Sequence, residues 1–468
     1  MMINENEKDP LEKIAKAIDL LKEDSVLPLS LIADPNIFDL ELKFLFPRTW
    51  NFLAHESEIS AKGDYVKRYI GPYTSIIVVR GEDGRVRAFL DLCRHKGRGV
   101  CRAEKGNAAY FRCPYHFWTY SNMGELVSVP LEEEGYGKNL DKSKYGLIEI
   151  KTEVHNGFIF GSIEPEQSLK DYLGEFSWYT DIIMKRDLEV YTPQRWIGNF
   201  NWKLGAENFA HDSYHTAYTH KSAVDLGLPL MGPKGKIVSQ KGIQFVSLKG
   251  HSGGMRGAIT KEEEKLSYFR YPYIYEKWDP MVLTHIKNVL IPEQYEVFSM
   301  AASSMRWNIF PNFSFLIHPM GSFDPKTITQ DFPYGFPTPW LHFKIWRPIS
   351  ESKTEILSFF AVEKIASEEA KERSYWAYVH AFGPSGMFEM DDIENWITIT
   401  QNSLSMSKSG REINLPYLLG SHRDPIKDFV WKHGDEIGIY YEVTEHGAKS
   451  FWIKWAETII KGAEKYGK

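Results

Sequence analysis

A chain of 468 residues with 43% hydrophobic, 14% aromatic and 25% charged side chains can bury a large core, and its length suggests two or three domains. Its net charge of -6, with no basic block, argues against a surface that tracks nucleic-acid phosphates. Charge interrupts every hydrophobic run short of the roughly 18 apolar residues of a membrane span, and three clustered cysteines cannot form a disulfide framework.

The N-terminus, Met-Met-Ile-Asn-Glu-Asn-Glu-Lys-Asp-Pro, lacks the cationic and apolar regions of a secretory signal, so a cytoplasmic location is expected. Asp9-Pro10 reads as a helix cap with a first-turn proline. Leu11, Ile14, Ile18 and Leu21 continue at helical spacing, predicting an amphipathic helix over 9–23. From about 40 to 165 the texture changes to short β-rich runs, such as Tyr73–Arg80 and Gly157–Gly161, separated by glycine and charged turns. Beyond Pro165, helical patterns around 200–220, 364–380 and 386–405 alternate with strand-like runs at Arg306–Phe310 and Trp340–Trp346. An amphipathic helix near 447–466 closes the chain. No internal repeat, low-complexity tract or long linker is present. The expected class is α+β, with an N-terminal helical segment over 1–40, a β domain over 41–165 and a larger domain over 166–468.

The first chemical constellation is Cys93-Arg-His95, seventeen residues, then Cys113-Pro-Tyr-His116. Each of two loops offers one thiolate and one imidazole, the ligand count of a Rieske [2Fe–2S] centre, in which two histidines replace two cysteines on one iron. A structural zinc site uses the same residue types, but zinc fingers present a cysteine pair and then a histidine pair. Cys101 lies between the arms and reads as a small buried residue. The second constellation is Glu207-Asn208-Phe209-Ala-His211-Asp212-Ser-Tyr-His215-Thr-Ala-Tyr-Thr-His220. Non-haem Fe(II) oxygenases hold iron with two histidines and one carboxylate and leave the other positions open. On an ideal helix His215 and His220 point about 140° apart, so both can bind one ion only where the helix bends or ends. His211, His251, His318 and His433 read as scaffold.

Cys-x-His, seventeen residues, Cys-x-x-His and Trp118 resemble the Rieske domain of aromatic-ring-hydroxylating oxygenase large subunits, as do the edges Phe46–Trp50 and Gly157–Phe160. The segment Glu207–His220 is similar to that family's iron motif, and Asn308–Asn312 to a strand-turn between the motifs. Nearly the whole chain is covered. The resemblance implies Cys93, His95, Cys113 and His116 as [2Fe–2S] ligands, and His215, His220 and Asp392, the second acid of Asp391-Asp392, as ligands of a mononuclear Fe(II). It implies catalytic roles for Asp212 and Asn208. Asp212 would orient His215 and bridge to a cluster histidine of a neighbouring subunit. Phe209, Phe382 and Phe388 match substrate-pocket positions, and no uniquely placed Arg or Lys commits that pocket to an aromatic carboxylate. The family has glycine after its second cluster histidine. This chain has Phe117, a departure that affects the local backbone path but removes no ligand.

The implied activity is hydroxylation of an aromatic substrate with O₂. NAD(P)H would supply the electrons through a separate reductase and in some systems a ferredoxin, in agreement with the absence of a GxGxxG fingerprint from this chain. A homotrimer, or an α₃β₃ assembly with a small β subunit, is the implied state. The alternatives are a Rieske monooxygenase or O- or N-demethylase, and a non-catalytic iron–sulfur electron carrier.

Overall fold

The computed structural model describes residues 9–225, 231–232, 236–237, 241–257, 270–321, 323–427, 429 and 432–467. The sequence reading of the first eight residues as lacking a secretory signal lies outside them. The chain forms two compact units, one of residues 46–169 and one of residues 1–45 with 170–468.

The 46–169 unit is built on a seven-stranded antiparallel sheet. Its order is Asn51–His55, Phe158–Ser162, Glu149–His155, Val86–Leu90, Thr74–Arg80, Asp64–Ile70, Lys105–Asn107. Thr74–Arg80 owes its central place to an apolar run, Ile76 to Val79, that is buried throughout. A smaller sheet of Tyr110–Arg112, Thr119–Ser121 and Leu126–Ser128 carries the second Cys-His loop. Cys93 and Cys113 belong to one buried cluster with Phe111, Trp118, Tyr120 and Leu126, so both arms are anchored in the same core.

The larger unit contains a nine-stranded antiparallel sheet with helices packed on it. Along its main path the order is Leu188–Val190, Lys353–Glu363, Pro337–Ser350, Phe313–Gly321, Ala301–Ile309, Ser252–Gly257, Gly242–Ser247, Ile437–Tyr441, and Gln194–Gly198 also pairs with Lys353–Glu363. The central strands Ala301–Ile309 and Phe313–Gly321 are buried along their whole length, but their two faces differ. One cross-strand row reads Phe245, Gly253, Trp307, Phe315, Phe343, Phe359. The adjacent row, on the opposite face because side chains alternate, reads Gln244, Gly254, Arg306, Leu316, His342. One face is therefore an aromatic core and the other carries buried polar groups. The helix Trp202–His211 lies on the polar face, where Gln244 Nε2 and Arg306 Nη2 each donate to the His211 carbonyl at 2.9 Å.

The N-terminal helix spans Pro10–Glu23, with the Asp9 side chain accepting from the Leu11 amide. Farther along, Glu41 is fully buried and accepts from the indole nitrogens of Trp202 (2.8 Å) and Trp455 (2.9 Å) and from Lys203. That cluster anchors the start of the Trp202–His211 helix. One predicted element differs: the helical pattern around 200–220 is broken after His211 and resumes only as the short turn Thr216–Thr219. No helix among the described residues is long and apolar enough to cross a membrane.

Candidate metal centres and active site

The two Cys-His arms are built alike. In the first, the Cys93 amide donates to the Arg98 carbonyl (2.8 Å) and the Gly97 amide donates back to the Cys93 carbonyl (2.9 Å). In the second, the Cys113 amide donates to the Trp118 carbonyl (2.9 Å) and the Phe117 amide to the Cys113 carbonyl (3.0 Å). Positions 97 and 117 are thus equivalent, and both take left-handed backbone, with φ of 76° at Gly97 and 57° at Phe117. Only glycine adopts this conformation without steric cost, which explains why glycine is expected there. Phe117 accepts the strain and turns its ring outward, 57% exposed.

The donor set of the arms suits a sulfide-bridged cluster. Both thiols are buried, and the Tyr120 hydroxyl, which accepts from the Arg94 amide at 3.0 Å, lies 3.3 Å from Cys93 Sγ. The His95 and His116 rings are 4.5 Å apart, and Trp118 stacks on His95 at 5.1 Å. Tyr136 hydroxyl stands 3.5 Å from His95 Nε2, whereas the buried His95 Nδ1 has no hydrogen-bond partner among the described residues. An orphaned imidazole nitrogen beside two buried thiols fits a metal ligand. Cys101 stays apart, its thiol donating to the Ala103 carbonyl at 3.2 Å.

The second centre depends on the helix break. Gln244 and Arg306 take the His211 carbonyl and Arg256 Nη2 takes the Ser213 carbonyl, so side chains satisfy the groups that a continuing helix would have used. Glu442 sits between the two guanidinium groups, 2.6 Å from Arg306 Nη1 and 3.8 Å from Arg256 Nε. Asp212 Oδ1 then accepts from the His215 amide at 3.1 Å and starts the turn Thr216–Thr219, which carries His220. The bend needed for two imidazoles five residues apart to meet is therefore present.

His215, His220 and Asp392 converge, with one ligand atom from each within 4.8 Å of the others. Asp392 Oδ1 lies 3.4 Å from His215 Nε2 and 3.5 Å from His220 Nε2. On the far side of each ring stands another carboxylate, Asp212 Oδ2 at 3.2 Å from His215 Nδ1 and Asp391 Oδ2 at 3.2 Å from His220 Nδ1. The Asp391 carboxylate only accepts, so His220 Nδ1 carries its proton and the Nε2 lone pair faces Asp392. His215 Nδ1 makes no hydrogen bond among the described residues and meets Asp212 as an ion pair, its Nε2 also facing Asp392. Lone pairs facing a carboxylate repel unless a cation lies between them, which fits a metal ion. Burial, reinforced by Glu389 and opposed by His215 and Lys344, pushes the Asp392 carboxyl up to about 7. Burial, followed by repulsion from His215, presses His220 down to about 3. For His215 burial acts the same way but is outweighed by Asp212 and Asp392, which raise it.

Beside this triad lies a cavity of about 530 Å³, part of it open to solvent. Its lining includes Asn208, Phe209, Phe382 and Phe388, so the structure brings the pocket residues expected from sequence to the metal triad. Phe388 packs on His220 with ring centroids 4.8 Å apart, and Phe382 links it to Phe209. Sequence reasoning missed Asp391 as the partner of His220. It also missed Arg256, Ser304, Arg306, Leu316 and His318 in the lining. Ser304 and Arg306, like Leu316 and His318, are two apart on neighbouring strands, so the signal was the period of two, but which face met the helix was not readable.

The chain matches the model of the Rieske [2Fe-2S] domain over residues 49–147, and that of the ring hydroxylating alpha subunit (catalytic domain) over residues 171–457. It belongs to the ring-hydroxylating oxygenase alpha subunit family. Among curated relatives, the alpha subunit of an N,N-dimethyl phenylurea N-demethylase from Sphingobium sp. (strain YBL2) is 31% identical over 448 residues, covering 93% of this chain and 92% of the relative. The large oxygenase component of a naphthalene 1,2-dioxygenase system from Pseudomonas aeruginosa is 34% identical over 410 residues, with 82% of each chain covered. The crystal structure of naphthalene 1,2-dioxygenase from Rhodococcus sp. bound to indole superposes with a TM-score of 0.86 at 36% identity, covering 97% of this chain and 98% of that one. This ring-hydroxylating alpha subunit is an oxygenase whose cofactors are a Rieske [2Fe–2S] cluster and a mononuclear iron, with NAD(P)H as the indirect electron source.

Proposed function

We propose that this oxygenase subunit hydroxylates a flat aromatic substrate in the cavity beside His215, His220 and Asp392, with dioxygenation as its reaction. The observation that carries the reading is the convergence of that triad on a cavity walled by Phe209, Phe382 and Phe388. Bound there, ferrous iron would supply the O₂-activating centre, and a cluster held by Cys93, His95, Cys113 and His116 would supply electrons singly. The residues of the chain do the rest. Asp212 and Asp391 fix the tautomer and tilt of the two imidazoles, the three phenylalanines hold the ring by its face and edges, and Asn208 adds a neutral polar group to the wall. Asp212 also links His215 to a cluster histidine of a neighbouring subunit. Its side chain, 30% exposed, leaves room for such a contact. A trimer with or without a β subunit, a separate reductase and ferredoxin, and a cytoplasmic location complete the proposal.

Reconstitution with a reductase and ferredoxin, a panel of aromatic substrates and ¹⁸O₂ tests it. A cis-dihydrodiol carrying two labelled atoms is the expected product. Formaldehyde release from N-methylated aromatics would instead place the chain with its demethylase relative. Turnover that survives His215→Ala would refute the site.

A further inference from the structure

The cavity beside the metal triad has one wall whose chemistry the aromatic pocket does not explain. His318 lines it, stands on the same strand face as Leu316 and is only 6% exposed. Trp340 stacks on its ring at 5.7 Å, and Phe388, which packs on His220, lies 6.4 Å from it. His318 Nδ1 is 2.7 Å from the Pro319 carbonyl oxygen. A carbonyl oxygen only accepts, so Nδ1 carries the proton and Nε2 presents a bare lone pair. That Nε2 is buried and has no hydrogen-bond partner among the described residues. Burial keeps the ring neutral, holding its pKa down at about 3, so the nitrogen remains an acceptor throughout the neutral range. His318 is not part of the converging metal group, which consists of His215, His220 and Asp392. Arg256, the cation that acts on His318, gives Nη2 to the Ser213 carbonyl and turns Nε towards Glu442.

A buried acceptor without a donor is unfavourable, and this one stands in the wall of a substrate cavity. We propose that the cavity takes an aromatic substrate with a ring-borne N–H or O–H group, an N–H heteroarene, arylamine or phenol, whose hydrogen is donated to His318 Nε2. The inference rests on the oxygenase reading of the same cavity. Donation at His318 anchors one edge of the ring while the phenylalanines hold its faces. The carbon turned towards the metal triad is then set by its position relative to the donor, so His318 controls regiochemistry as well as choice of substrate.

Indole and indene test this, since they match in size and differ by N–H against CH₂. Their dissociation constants are measured anaerobically on the iron-loaded enzyme and on His318→Phe by isothermal titration calorimetry. The ratio of the two ligands, compared between the two proteins, cancels their different solubilities in water. We expect the preference for indole to fall about tenfold or more in His318→Phe, the loss of one buried hydrogen bond. An unchanged ratio overturns the proposal. If His318→Phe does not fold, the wild-type products decide: a single regioisomer from indole and a mixture from 1-methylindole support the anchor, and the same single pattern from both overturns it. Binding is read without turnover, so the expected ratio in an enzyme that oxidises nothing supports the anchor and counts against the oxygenase reading instead.

Discussion

Replacing Glu41 by glutamine removes one negative charge from a site with no access to water. Glu41 is 0% and Lys203 1% exposed, and the carboxylate also receives the indole N–H groups of Trp202 and Trp455. Burial lowers the Lys203 pKa, opposed mainly by Glu41, so the ammonium depends on this partner. Breaking a buried ion pair from one side costs about 3–5 kcal/mol, because the remaining charge is stranded. For a unit of about 340 residues with an unfolding entropy of roughly 2.1 cal/mol/K per residue, that corresponds to a fall in Tm of about 4–7 °C. Lys203→Met should cost a similar amount. The double variant Glu41→Gln/Lys203→Met should lose only about 1–2 kcal/mol, because no charge is buried and the amide oxygen still accepts an indole N–H. Thermal and urea unfolding followed by tryptophan fluorescence measure all three. A double variant as unstable as the sum of the singles would refute the reasoning, since packing rather than stranded charge would then set the cost.

His251 gives stability a dependence on pH. Its Nε2 donates to the Tyr172 carbonyl (2.8 Å) and its Nδ1 accepts from the Phe310 amide (3.0 Å), so only the neutral ring fits. Burial lowers its pKa from 6.5 to about 3, so its contribution is complete above pH 6.5 and is lost as the pH falls towards 3. Between pH 6.5 and 5 the loss is about 2 kcal/mol, and urea titrations of His251→Gln should show a correspondingly flatter acid limb. Phe117→Gly relieves left-handed strain of about 1–2 kcal/mol and adds about 0.5–1 kcal/mol of unfolded-state entropy, so it should leave stability unchanged or raise it by up to about 1.5 kcal/mol. Phe117→Val should lower it, and bleaching of the cluster's visible absorption on heating reads both. Asp212→Asn should keep iron and sulfide content while slowing reoxidation of the reduced cluster at least tenfold in stopped-flow single turnovers, because neither ligand set changes. An unchanged rate would remove Asp212 from the electron path.

Sequence alone determined the candidate ligand sets. The order Cys-x-His and Cys-x-x-His, the spacing from Glu207 to His220 and the pair Asp391-Asp392 are local patterns, and the chemistry of each residue type limits what it can bind. Hydrophobic periodicity likewise marked the closing helix, found over His446–Tyr466, and the strand Thr74–Arg80. It marked a helical pattern around 200–220 but not where that helix breaks, because Gln244, Arg256 and Arg306 capture carbonyls from strands distant in sequence and no local pattern records a distant donor. The surroundings of Asp391 and His318 stayed hidden for the same reason. Whether an acid meets an imidazole, or a nitrogen lacks a partner, depends on which sheet face meets which helix. That is decided only when the buried polar row from Gln244 to His342 closes over the site, since burial removes the water that would otherwise satisfy each group.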